Sequence, residues 1–362
     1  MPGLDGFLAL EWSNALQVVV LGFIGGVLSG FIGSGGAFFM TPGMMNLGVP
    51  GVIAVGSNIT HKFGKALVGS RRHGEMGHVD KKLGLFMLIT ALIGVKVAVW
   101  LNEKLFQMGA DGHGESTGSA AGDLYISAVF VLILSIVSVL ILRDAMRTQK
   151  KGEGPSTRLA EFFSKVKIRP MVTFKTADVT LSFWLVALAG LFTGYLAGTI
   201  GVGGFIGVPA MIYVFGVPTA VAAGTELYLA MFMGAWGAIN YAMGGFVDLR
   251  LVLLLYLGSL SGIYIGAYGT KVCKERMIRL VTAVIILLSV LSRAVNIPVY
   301  MHDLAMIDIS AEASRLSSSL SKILLFASGI AGVLVILIAV FRAYLRRRKI
   351  QELLSRLGSR AP

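Results

Sequence analysis

Cysteine is all but missing: Cys273 stands alone, which excludes an intramolecular disulfide and leaves no thiolate cluster to hold a metal. Charge is scarce as well. Only 14% of the 362 residues are charged while 55% are hydrophobic, and the mean hydropathy is +0.78. A soluble domain of this length could not hide so much apolar surface. The apolar/polar alternation that a membrane barrel needs is nowhere visible. Asp5 and Glu11 precede the first apolar run without any Lys or Arg, so no cleaved signal peptide is expected.

What the chain does have is a series of apolar stretches long enough to cross a bilayer, at 83–101, 124–142, 251–268, 277–291 and 323–340. In lipid every backbone amide must be satisfied within its own segment, which makes these stretches helices. The formal net charge of +13 comes largely from Lys and Arg crowded into 143–175, 271–279 and the tail from Arg342. Loops of that kind stay on the cytoplasmic side of a membrane, so the lipid bilayer is the expected partner and nucleic acid is not.

The sequence also repeats itself. Shifted by 168 residues, 11 of the 17 glycines between Gly22 and Gly94 fall on another glycine, from Gly22/Gly190 through Gly33/Gly201 and Gly56/Gly224 to Gly94/Gly262. Pro50/Pro218, Val79/Val247 and Asp80/Asp248 keep the same register, so glycine content alone does not explain the match. Each unit reads alike: a Gly-rich apolar segment (16–32; 184–200), a glycine break, a short apolar piece (37–47; 205–215), then three longer helices.

Loop charge orients the units. Arg71, Arg72, Lys81 and Lys82 mark one loop of the first copy as cytoplasmic, whereas 244–250 in the second has only Arg250. The next loops reverse: 102–123 has one Lys against four acids, and 271–279 has four basic residues against Glu275. The expectation is an all-α polytopic membrane protein of two inverted repeats, each a Gly-broken helix hairpin plus three transmembrane helices, with one additional C-terminal transmembrane helix. It forms a single membrane domain, 1–362. Repeat 1 spans 14–143, a basic cytoplasmic linker with an amphipathic segment (157–170) spans 144–179, and repeat 2 spans 180–293. An extracytoplasmic loop at 294–320, the extra helix at 321–343 and a basic cytoplasmic tail at 344–362 follow. The N-terminus is expected outside and the C-terminus in the cytoplasm.

Candidate chemistry sits at the breaks, Gly33-Ser34-Gly35-Gly36 and Gly201-Val202-Gly203-Gly204, each before a short helix. Freed amides at a helix start, with the positive end of its dipole, suit an anion without a charged side chain. The bland alternative is close helix packing by small residues, the preferred reading for Gly22, Gly26 and Gly30. Ser57 and Asn58 align with Thr225 and Glu226; the two hydroxyls either complete a polar cavity between the copies or satisfy a carbonyl in their own helices. Ionisable residues within the apolar segments are His61, Lys62, Lys65, Lys96 and Glu226, functional candidates because each is costly in lipid. Lys65 and Lys96 are expected to snorkel to the inner and outer interfaces. Glu226 is read as a proton carrier or as the partner of Lys62. A membrane serine hydrolase built on Ser34 and His61 is disfavoured because Val202 replaces Ser34 in the other copy and the glycine spacing is not that of a nucleophile elbow. No enzyme activity, metal site or cofactor is expected, since beyond His73/His78 the five histidines have no ligand spacing.

The duplicated break, proline, Gly-Ser/Thr pair and Val-Asp loop, over 22–101 and 190–271, closely resemble the TauE/SafE sulfite exporter family. The resemblance implies an inner-membrane permease that moves sulfite, sulfonates or related organic anions outward, coupled to protons or another ion. It also implies a substrate site near Gly33–Gly36, Gly201–Gly204, Ser57, Asn58 and Thr225. The rival readings are an anion importer or channel, and a membrane scaffold that transports nothing; a homo-oligomer is left open.

Overall fold

The computed structural model describes residues 12–32, 36–113, 115–146, 168–201 and 203–358. Its helices are α1 (Trp12–Ile32), α2 (Ala37–Asn46), α3 (Gly51–Glu75), α4 (Lys81–His113), α5 (Glu115–Met146), α6 (Phe183–Ile200), α7 (Gly204–Pro209), α8 (Thr219–Met243), α9 (Leu249–Val272), α10 (Glu275–Asp303) and α11 (Ala311–Gly358). By length and composition seven are fit to cross a membrane: α1, α4, α5, α6, α9, α10 and α11. Every apolar stretch read from the sequence falls inside one of these. The protein is accordingly a multi-pass membrane protein. α3 and α8 fall outside this set and pack against each other.

The duplicated Gly48-Val49-Pro50 and Gly216-Val217-Pro218 act as matching joints. Gly48 and Gly216 take φ of +92° and +74°, a region open to glycine, and end the short segments. Pro50 and Pro218 then start α3 and α8 from an extended conformation with almost the same angles, φ −53° and −55°. The short segments themselves differ. α2 is an unbroken helix, whereas in the second copy α7 ends after six residues and a π turn, Ala210–Val214, follows. Pro209 closes the regular turns of α7, and the π turn starts at the next residue.

Small residues let long helices touch backbone to backbone. A Cβ on Gly22, Gly26 or Gly30 of α1 would stand within 2.6 Å of a carbonyl oxygen on α9, that of Leu255, Ser259 or Ile263. Gly190 and Gly194 of α6 face Met87 and Ala91 of α4 at similar range. In each pairing the numbers rise together, so α1 runs parallel to α9 and α6 to α4. α3 and α8 instead run antiparallel, Ile59 lying at Gly237, Phe63 at Gly234 and Leu227 at Gly69. α5 and α10 are antiparallel too, since Asp144 near the end of α5 pairs with Arg279 near the start of α10. α11 has no counterpart in the first copy and covers α2, α9 and α10.

Three expectations need adjusting. The linker carries a small antiparallel hairpin, β1 (Met171–Phe174) with β2 (Val179–Ser182), so the fold is not purely helical. Its Val- and Thr-rich runs favour strand, and the turn between them is anchored when Thr176 and Ala177 donate N–H to Asp80 Oδ2 at 3.0 and 2.9 Å. The amphipathic stretch 157–167 lies outside the described residues. The connection expected over 294–320 shrinks to 304–310, because α10 carries Arg293 and Asn296 inward and continues through Pro298. Likewise α4 and α5 extend into the loop expected at 102–123.

Candidate functional site

Gly33, Ser34, Gly35 and Val202 lie outside the described residues; the helix starts that follow the two breaks meet. Gly36 is pressed onto α1, where a Cβ would come within 2.0 Å of Gly25 O. In the second copy Gly201 ends α6 at φ +75°, and Gly203 and Gly204 are buried at the turn into α7. A Cβ on Gly201 would stand 3.0 Å from Asn58 Nδ2 and 3.2 Å from Thr41 Oγ1, so the second copy's break lies against residues of the first. Asn58 donates to Ala37 O (3.0 Å) and to Thr41 Oγ1 (2.7 Å), and Thr41 donates onward to Ile200 O (3.2 Å). Between the two helix starts Phe38 and Phe205 meet edge to face, 4.7 Å between centroids, both buried. Such a pair is worth about 1 kcal/mol beyond its area.

Ser57 and Thr225 do something neither sequence reading foresaw. Ser57 Oγ accepts the N–H of Asp248 at 3.1 Å, and Thr225 Oγ1 accepts that of Asp80 at 3.0 Å. The glycines before them make room: a Cβ on Gly56 would meet Phe246 O at 2.3 Å, and one on Gly224 would meet His78 O at 2.0 Å. Both aspartates in turn cap the next helix, Asp80 Oδ1 accepting from Leu83 N and Asp248 Oδ1 from Arg250 N, each at 2.9 Å. The repeated Gly-Ser/Thr and Val-Asp motifs are thus two halves of one clasp, built twice and each time between copies. These hydroxyls hold the copies together.

The ionisable residues of α3 and α8 are held unevenly. His61 Nε2 shares a hydrogen bond with Ser259 Oγ (2.8 Å), its ring lies against Tyr256, and Tyr256 donates its hydroxyl to His61 O (2.8 Å). Lys62 Nζ is buried with no hydrogen-bond partner, and so are both carboxylate oxygens of Glu226, a residue only 3% exposed. Among the described residues Lys62 and Glu226 form no ion pair. The carboxylate lies on α7, where a Cβ on Gly207 would come within 2.1 Å of Glu226 Oε2. Asn58 Oδ1, His61 Nδ1, Thr193 Oγ1 and Thr199 Oγ1 are likewise buried and unpartnered. Lys65 is half-buried. Lys96 is exposed, and its ammonium donates to Asn240 Oδ1 at 2.6 Å, across to α8.

Two buried groups escaped the sequence reading. Arg293, 1% exposed, lies two residues beyond the apolar run at 277–291. It donates to Asn46 Oδ1 at the end of α2, to Ser321 Oγ (3.1 Å) on α11 and to Tyr300 Oη (3.2 Å). Asp123, assigned to a loop from sequence, accepts the first N–H of α3 from Gly51 at 2.5 Å. A polar tail on a hydrophobic run, V-N-I-P, was the one available signal that the helix continues past Leu291.

Comparison with known proteins is consistent with this arrangement. The family model described as "Sulfite exporter TauE/SafE" matches residues 18–293, from α1 into α10, and leaves α11 outside. "Probable membrane transporter protein YjnA" of Bacillus subtilis is 26% identical over 276 residues, 76% of this chain and 98% of the relative. "Probable membrane transporter protein YdhB" of the same organism is 25% identical over 271 residues, 73% and 94%. A "Probable membrane transporter protein" of Xylella fastidiosa is 26% identical over 254 residues, 69% and 80%. No solved structure matches.

Proposed function

The chain belongs to the sulfite exporter TauE/SafE family, and from that premise we propose that it is a secondary transporter exporting small anions, sulfite, sulfonates or related organic anions, by alternating access. The two copies lie inverted in a cell membrane, with the N-terminus outside and the C-terminus in the cytoplasm. Support for inversion comes from the antiparallel runs of α3 against α8, which coincide under the 168-residue shift, and of α5 against α10, which hold the same place in the order of the two units.

The observation that carries the reading is the set of buried polar atoms without partners around the joined breaks: Asn58 Oδ1, Lys62 Nζ, Thr193 Oγ1 and both oxygens of Glu226. Each such atom costs about 1–3 kcal/mol when left unsatisfied, and more when charged. A chain that keeps them in a membrane interior uses them for a polar traveller. Lys62 supplies positive charge to the anion, the amides at Gly36 and Gly203 assist, and Glu226 carries the coupling proton. The touching Phe38 and Phe205 rings make the present form closed, and the anion passes when they part. His61, tied to Ser259 and Tyr256, positions α3 on α9.

Proteoliposomes loaded with radiolabelled sulfite, sulfoacetate or thiosulfate, with and without a pH gradient, test the proposal. Saturable efflux of at least one, accelerated by the gradient and insensitive to it in Glu226→Gln, is the expected result. Failure of all three to move overturns the reading.

A further inference from the structure

The short helices that follow the two breaks occupy equivalent places and are secured very differently. All ten residues of α2 are buried. Its start is tied by Asn58 to Ala37 O and Thr41, and Thr41 reaches Ile200 O. Its end is tied through Asn46, whose Oδ1 accepts from Arg293 and from Ser321 Oγ (3.1 Å) and whose Nδ2 donates to Ser321 O (3.3 Å) and Ser292 Oγ (3.4 Å). α11 closes over it, with Gly329 against the Phe39 ring.

In the second copy, 168 residues on, Pro209 stands for Thr41, Val214 for Asn46 and Glu226 for Asn58. Pro209 and Val214 have no side-chain hydrogen bond to give, and Glu226 makes none. Seven of the eleven residues Gly204–Val214 are half-buried, among the described residues no helix covers them as α11 covers α2, and the winding changes to a π turn midway. π turns recur where a helix has to yield. The side-chain tie of this segment is at its far end, from Tyr213 Oη to Asp144 Oδ2 at 3.1 Å.

We propose that α2 is a fixed abutment, with Arg293 as the residue that positions it, and that the segment Gly204–Val214 is the half that swings, drawing Phe205 away from Phe38 about the Tyr213–Asp144 tether. This rests on the alternating-access reading above. Burial with a closed hydrogen-bond network belongs to the most protected parts of a protein, and a half-exposed helix with few ties to the least.

Hydrogen exchange of the full chain in lipid nanodiscs tests it without any substrate. Amides of 204–215 should exchange at least tenfold faster than those of 37–47. In Arg293→Gln the 37–47 amides should speed up to within threefold of 204–215, and Arg293→Lys should restore at least half of the lost protection. Should Arg293→Gln fail to fold, Ser321→Ala removes one tie and should give the same selective loosening. Equal exchange in the two segments of the wild type, or undiminished protection of 37–47 in a folded Arg293→Gln or Ser321→Ala, overturns the proposal. Absence of anion flux with this exchange pattern intact would instead count against the transport reading.

Discussion

The two copies agree where they grip each other and disagree where their short helices lie. Each clasp pairs a glycine and a hydroxyl on a central helix with a capping aspartate of the other copy, and the two bond lengths, 3.0 and 3.1 Å, are nearly the same. Around α2 and α7 the copies share little: one short helix is roofed and bonded at both ends, the other is half open and faces a buried carboxylate. The repeat was kept where it makes an interface and was released where the halves do different work.

That contrast can be broken in stages. The largest effect should come from Gly36→Ala, whose Cβ would lie 2.0 Å from the backbone oxygen of Gly25 in the enclosed hairpin. A loss of about 3 kcal/mol is expected in thermal unfolding of the purified protein. Gly203→Ala, whose Cβ would meet the Ala197 methyl at 2.8 Å and, at an ordinary 3.5 Å, the Met233 terminus and Thr193 O, should cost about 1 kcal/mol. Equal losses would mean the second hairpin is as tightly seated as the first. Next, Glu226→Asn gives the second copy the residue that the first has at Asn58. It should lower gradient-driven anion efflux by about a hundredfold, since it removes a proton carrier, while the unfolding temperature stays level or rises. Unchanged efflux would remove Glu226 from the coupling.

The clasps should respond alike. Ser57→Ala and Thr225→Ala each leave a buried N–H unpaired and should each cost about 1–2 kcal/mol. A difference of more than about 1 kcal/mol between them would show that the equivalence stops at geometry. The smallest effect belongs to Ser57→Thr and Thr225→Ser, which keep the acceptor oxygen and should stay within about 0.5 kcal/mol, read by the same melts.

Much of this was legible in the residues. The 168-residue register, the glycine breaks and the paired prolines mark the elements because each encodes a local need: a positive φ at Gly48 and Gly216, a fixed start at Pro50 and Pro218. The partners of those motifs were not legible. Ser57 meets Asp248 from 191 positions away, and Thr225 meets Asp80 from 145, so nothing near either hydroxyl announces its mate. Arg293 was overlooked because an apolar run is taken to end at its first charge, whereas a guanidinium bonded to Asn46, Ser321 and Tyr300 can stay inside.

The crosswise clasp bears on ancestry. An undoubled forebear would have had the hydroxyl without the loop it catches, and could have completed the bond only with a second molecule lying head to tail beside it. On the inverted arrangement proposed above, such a polypeptide would have had to enter the lipid both ways up in comparable numbers. Fusion of two copies would have removed that requirement, and a helix like α11, outside both units, could then settle on one side alone.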